Sequence, residues 1–222
     1  MSEPLSNTLD ETAATSPGTR ELRRPPFDLL TITLHWATVL LVLAQLGSGL
    51  LYGQVEERPW ATYLLGAHQA LGMTIWIVTV LRFLWRLTGA WFPPFPASMT
   101  LIQRAAARVS EYALYALLLI QPATGLAQTL LRGRPFELFG WSIPAILPEH
   151  LGYARLFHGA HELGARCLIG LVSLHAAAAL FHHFVRRDDV LEAMAPVLRR
   201  CVRRNGTDGE NRPSQLATSE QD

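Results

Sequence analysis

The stretch His161-Glu-Leu-Gly-Ala-Arg-Cys-Leu-Ile-Gly-Leu-Val-Ser-Leu-His175-Ala-Ala-Ala-Ala-Leu-Phe-His-His183 decides how this chain folds. It is long enough and apolar enough to cross a bilayer as a helix. Two histidines interrupt it, His161 and His175, fourteen residues apart. Fourteen residues is close to four helical turns, so both rings leave one face, about 21 Å apart along the axis. Two imidazoles on one metal ion stand only about 4 Å apart, nitrogen to nitrogen. The pair therefore cannot share an ion. As ligands the two serve two sites, one towards each membrane surface, and each needs a partner from another helix.

Half of the 222 residues are hydrophobic, and the charged residues gather at the ends and in the loops. What remains is a set of long apolar runs, the pattern of an integral membrane protein. A net charge of +1 gives no basis for nucleic-acid binding. Cys167, in an apolar run, and Cys201, in a polar one, form neither a disulfide framework nor a metal motif. Residues 1–26 are rich in Ser, Thr, Glu and Pro and close on Arg20, Arg23 and Arg24. Without an apolar core they read as a disordered cytoplasmic tail and not as a cleaved signal peptide. Residues 197–222 read as a second polar cytoplasmic tail.

Between the tails, residues 27–196 read as one all-α membrane domain. Its four spanning helices are expected at about 27–52, 63–87, 109–131 and 161–184. Short links make an up-down bundle. An amphipathic lead-in with Arg104 and Arg108 precedes the third helix, and Arg132 to about Gly159 reads as an irregular interfacial loop. Arg placement sets the orientation. Three Arg precede helix one, four border the link between helices two and three, and seven follow helix four. The two opposite links hold only Arg58, Arg132, Arg134 and Arg155. Both termini are therefore expected on the cytoplasmic side.

Topology then gives each histidine a depth. His35 lies early in helix one and His175 late in helix four, so they share the cytoplasmic level. His68 opens helix two and His161 opens helix four, so they share the other. Isolated ionisable residues in a membrane helix are costly unless partnered or functional. The plain alternative is a set of hydrogen-bonded histidines holding helices together, and four at two matching depths argue against it. Zinc usually takes further protein ligands, and no Asp, Glu or Cys is placed to supply them. Two axial histidines and nothing else fit haem iron. The metal ligands expected are thus His35, His68, His161 and His175. Small residues one turn on, Gly72 after His68 among them, leave room for a flat macrocycle, although small-residue packing is common in membranes. Adding fourteen to His35 and His68 lands on Gly49 and Arg82. Gly49 is expected to let the outer haem pass close to helix one, and Arg82 to meet a haem propionate or else to snorkel to the headgroups. His158 is the reserve ligand. His182 and His183 are expected at the interface.

Leu34-His-Trp36, His68 with Gly72 and Arg82, the run Tyr115-Ala-Leu-Leu-Leu-Ile-Gln-Pro122 with Gly125, Arg132-Gly-Arg-Pro135, His161-Glu162, and Leu174-His-Ala-Ala-Ala-Ala-Leu-Phe-His-His183 followed by Arg187-Asp-Asp-Val190 resemble the bacterial cytochrome b561 family. The family consists of four-helix, di-haem b membrane proteins related to the b-type subunits of nickel-iron hydrogenases. The resemblance covers about Leu30 to Pro196 and maps its four ligands onto His35, His68, His161 and His175. Family members often carry a histidine near the start of helix three. Here that stretch reads Val109-Ser-Glu-Tyr112, with Glu111 as a substitute proton carrier or a solvated helix-start carboxylate.

The resemblance implies two b haems per chain and a multi-pass protein of the bacterial inner membrane. It also implies electron transfer between a periplasmic donor and the quinone pool, with ubiquinone as acceptor. Some members resemble superoxide oxidases, and Arg132, Arg134 and Arg155 could steer an anion, or be scattered surface charge. The alternatives are a cytochrome subunit wired to a partner redox protein and, in another class, a haem-free transporter or structural bundle.

Overall fold

The computed structural model describes residues 26–96 and 98–196. Four long helices carry the chain: α1 Leu29–Val55, α2 Ala61–Thr88, α3 Leu101–Leu131 and α4 Leu151–Phe181. A small antiparallel hairpin, β1 Phe136–Leu138 and β2 Trp141–Ile143, stands between α3 and α4. A π-helical turn, His182–Arg186, leads from α4 to a short α5, Val190–Met194. All four long helices are of a length and apolarity to span a bilayer. Even the 27 residues of α1 reach about 40 Å, more than the roughly 30 Å of a hydrocarbon core. Their outer faces carry Leu40, Leu43, Leu50, Ile120 and Leu174, each more than half exposed. A water-soluble protein rarely shows so large an apolar surface, whereas lipid is its matching solvent. The protein is a multi-pass, all-α membrane bundle.

Consecutive helices pack against each other, whereas α4 scarcely approaches α1 or α2. One apolar layer ties the four together: Val42, Ile75, Leu118 and Leu168, one from each helix. Val42 is two turns after His35, Ile75 two turns after His68, and Leu168 midway between His161 and His175. The core is therefore a belt at mid-depth, with a histidine level on either side.

Two helices start earlier than the expected 109 and 161. Thr100 caps α3: its hydroxyl accepts from Gln103 N at 3.3 Å, and the Gln103 side chain accepts from Thr100 N at 2.9 Å. This reciprocal box begins the helix at Leu101 and absorbs the amphipathic lead-in. The start of α4 is held by His150 N, which donates to Leu131 O at 2.9 Å, and by the buried Ala154. The stretch between α3 and α4 is not irregular throughout. Its hairpin turns on Phe139 and Gly140, both left-handed (φ 51° and 80°), the conformation a tight two-residue hairpin requires. Strand β1 packs on α2.

At the opposite end the chain closes on itself. Phe27 N donates to Ala193 O at 3.1 Å, and the Trp36 indole donates to Met194 O at 2.9 Å. The start of α1 and α5 thus share one end of the bundle, as an even number of spans requires. The tails expected at 1–26 and 197–222, with Cys201, lie outside the described residues except for Pro26.

Asp28 knots that end together. Its carboxylate accepts from Thr31 N at 2.8 Å and Thr31 Oγ1 at 2.7 Å, capping α1. It also accepts from the Trp85 indole of α2 at 3.2 Å and from Trp91 N at 3.3 Å. Burial alone would raise its pKa; the hydrogen bonds from Thr31, Trp85 and Trp91 outweigh that and hold it below the usual carboxylate value. A depressed folded-state pKa contributes stability above the unfolded value of about 4, and loses it as pH falls through the folded one. Asp28→Ala should cost about 1–3 kcal/mol. In detergent it should lower the melting temperature at neutral pH, and the gap to the parent should narrow below about pH 4.

Candidate functional site

The four histidines meet as two pairs. On the side of the bundle where α1 starts and α5 lies (the terminal side), the His35 and His175 rings face each other across the seam between α1 and α4, centroids 6.4 Å apart and planes at 58°. On the hairpin side, His68 and His161 face each other from α2 and α4, centroids 6.3 Å apart and planes at 84°. Both pairs span helix pairs whose backbones scarcely touch. In a bis-imidazole complex the metal–nitrogen bond is about 2 Å and the ring centre lies about 1.2 Å further, so the centroids stand roughly 6.4 Å apart. Each pair has the spacing of two axial ligands. Among the described residues, no three His, Cys, Asp or Glu converge on one point, as a protein-only metal cage would need.

The hairpin-side pair lies at a cavity of about 460 Å³, which Gly49, Gly72, Gly125, Phe136 and Leu138 help to line. The glycines act first on the rings. A Cβ on Gly49 would stand 3.0 Å from His68 Cε1, and one on Gly125 would stand 3.1 Å from His161 Cε1. Gly49, expected to make room for a macrocycle, thus directly makes room for a histidine. Gly72 admits the Gln45 amide, whose nitrogen would lie 3.2 Å from a Cβ there. The hairpin supplies an apolar wall, Phe136 and Leu138, to the same cavity.

Hydrogen bonds fix which nitrogen each hairpin-side ring presents. The Ser48 hydroxyl donates to Gln45 O at 2.9 Å, so it accepts from His68 Nδ1 at 3.0 Å. His161 Nδ1 lies 3.0 Å from Gln121 O, a carbonyl that can only accept, and 3.1 Å from Thr124 Oγ1. Both rings carry the proton on Nδ1 and leave the Nε2 lone pair for a ligand, the orientation metal-bound histidines take. Gln121 also donates to His161 O at 3.0 Å, and a Cβ on Gly164 would collide with its amide, so α3 and α4 meet closely here. One contact competes with a metal: Gln45 Nε2 donates to His68 Nε2 at 3.1 Å. The Gln45 oxygen is buried without a partner, so nothing holds that amide in place from its other end.

At the terminal-side pair, His35 is partly buried and its Nδ1 has no partner. Arg82 lies within electrostatic reach of both His35 and His175. Its guanidinium sits 5.4 Å from the Tyr115 ring centre and has no ion pair among the described residues. Arg86, one turn on, is different: it pairs with Glu111 and stacks 4.5 Å from the Phe92 ring centre. Glu111 is consequently not a solvated helix-start carboxylate. It lies ten residues inside α3, because the Thr100 cap starts that helix early.

His158 is exposed on the cavity rim, with Nδ1 2.9 Å from Gln128 Oε1 and Nε2 3.3 Å from Glu162. His161, not His158, faces His68. His182 is no interfacial side chain: it is buried, with Nδ1 2.6 Å from Asp188. The left-handed Arg187 turns the chain back to bring Asp188 under it. The sequence reading passed over Gln45, Ser48, Gln121 and Thr124. Their signal was present, since polar residues in apolar runs at histidine depth need partners.

The family model described as prokaryotic cytochrome b561 matches residues 26–196. Cytochrome b561 homolog 2 of Escherichia coli is 29% identical over 171 residues, which cover 76% of this chain and 90% of that protein. A probable superoxide oxidase CybB of Yersinia pestis is 29% identical over 172 residues, 77% of this chain and 96% of that one. Cytochrome b562 of Cereibacter sphaeroides is 26% identical over 182 residues, 78% of this chain and 96% of that one. The family match takes in all four spanning helices and both histidine levels, and the chain belongs to the prokaryotic cytochrome b561 family of haem b-binding, electron-transferring membrane bundles.

Proposed function

We propose that the chain holds two b haems, one between His35 and His175 and one between His68 and His161, and passes electrons from one membrane face to the other. The observation that carries this reading is the pair of ring spacings, 6.4 and 6.3 Å. A bound b haem supplies a one-electron iron couple. The protein's own part is to present Nε2 lone pairs, to fix the tautomers of the hairpin-side rings and to keep the space between the sites apolar. Val42, Ile75, Leu118 and Leu168, an apolar layer with one residue from each helix, support the last. Arg82, a cation without a carboxylate partner among the described residues, would pair with a propionate of a haem held at that level.

On this reading both termini lie in the cytoplasm of a bacterial inner membrane, which the Arg distribution supports, and the hairpin side faces the periplasm. The donor enters there and the electrons reach the quinone pool, with ubiquinone as acceptor. Superoxide is the candidate donor. A relative bears the name probable superoxide oxidase, and Arg132 lines the hairpin-side cavity, where a cation favours a small anion.

Detergent-purified protein should contain two haems per chain, low-spin in both oxidation states. His175→Ala should remove the terminal-side haem and keep the other; equal loss of both from a folded variant would overturn the two-level pairing. Gly49→Val places side-chain atoms where the His68 ring lies and should deplete the hairpin-side haem selectively, read as a haem-to-protein ratio near one. Reduction of the bound haem by a superoxide-generating system, and its reoxidation by a soluble ubiquinone analogue, test donor and acceptor. No haem reduction by superoxide in a two-haem preparation would exclude that donor.

A further inference from the structure

The two histidine levels differ in what lies behind the rings. On the hairpin side both Nδ1 protons are donated, His68 to Ser48 Oγ at 3.0 Å and His161 to Gln121 O at 3.0 Å, with Thr124 Oγ1 3.1 Å away. The acceptors are themselves held. The Ser48 and Thr124 hydroxyls each donate to the carbonyl three residues back, at 2.9 and 2.8 Å, so their lone pairs face the imidazoles. On the terminal side, His35 Nδ1 is buried without a partner, and no hydrogen bond reaches the His175 ring among the described residues. Arg82, fourteen residues along α2 from His68 and 5.4 Å from the Tyr115 ring centre, brings a cation to that level instead.

Resting on the two-haem reading, we infer that Ser48 and Thr124 are positioning residues that act through His68 and His161 to set the hairpin-side haem at the lower reduction potential. An Nδ1–H that is donated makes the imidazole a stronger base at Nε2, and a stronger base stabilises the oxidised iron. The terminal-side rings lack that donation, and the neighbouring positive charge of Arg82 favours the reduced iron. Both differences have the same sign. An electron delivered on the hairpin side runs downhill to the terminal side: the hairpin-side iron goes from ferrous to ferric as the terminal-side iron goes from ferric to ferrous, with no proton moved.

The test is a potentiometric titration of the full-length, haem-loaded protein in detergent, followed by visible and electron paramagnetic resonance spectra. The haem-to-protein ratio is measured first. A ratio of two with two resolved waves is expected, and His175→Ala should retain the lower wave. Ser48→Ala and Thr124→Val should each raise the lower wave and leave the upper one in place. The double variant should move it by a several-fold to tenfold change in equilibrium constant, tenfold being about 59 mV for one electron. A shift of the upper wave, no shift at full haem content, or loss of the lower wave in His175→Ala overturns the inference while leaving the two-haem reading intact. A ratio below two in the unmutated protein removes that reading and this one together. Should Thr124→Val lose haem, Ser48→Ala alone decides, since Ser48 lies on a different helix and the variant removes one oxygen.

Discussion

An imidazole facing another at axial-ligand distance, inside a membrane, is the constraint on which the rest of this bundle depends. The rings can meet only if α4 is held away from α1 and α2, because side chains packed directly between those helices would fill the space. Consecutive helices do the packing, and α4 is held in place chiefly through α3. The α3–α4 contact is correspondingly specific: Gln121 reaches the His161 carbonyl, Gly164 leaves room for it, and Gly125 accepts the His161 ring. The belt of Val42, Ile75, Leu118 and Leu168 joins all four helices at mid-depth and borders the hairpin-side cavity. Packing is thus concentrated at mid-depth, and a cavity opens at the hairpin-side level.

The number of spans and the depth of each histidine were legible because both follow from helical rise and from the cost of polar groups in lipid. The fourteen-residue interval in α4 and the Arg asymmetry carry most of that information. Side-chain partners were less legible. Glu111 reads as a helix start only if the Thr100–Gln103 box is missed. Arg86, which pairs with it, lies on another helix at no fixed sequence interval. His182 reads as interfacial until the left-handed Arg187 is known to fold Asp188 back. The hairpin at 136–143 hides because its strands are three residues each, too short for an alternating pattern to show.

Gly49 and Gly72 were readable as small but not as to what they admit. A glycine announces a close approach, and the sequence does not say whether a cofactor, a ring or an amide makes it. In α1, Gln45, Ser48 and Gly49 form a single cluster around His68, and only the antiparallel register of α1 against α2 brings them there. Family membership fixes the bundle and the haem chemistry. The groups behind the hairpin-side rings are Ser48, Gln121 and Thr124.

The mid-depth belt has an electrical consequence. Its four side chains are apolar, and on the two-haem reading an electron would cross this layer between the two levels. The levels lie about 21 Å apart in a core of roughly 30 Å, so that passage spans about two thirds of the membrane dielectric. A full charge transfer is worth about 2.3 kcal/mol per 100 mV, and this one about 1.5. On that reading the bundle would work as a leaky capacitor as much as a wire. The voltage across the membrane would then set how the electron is shared between its two ends, and an energised cell and a de-energised one would poise the same protein differently.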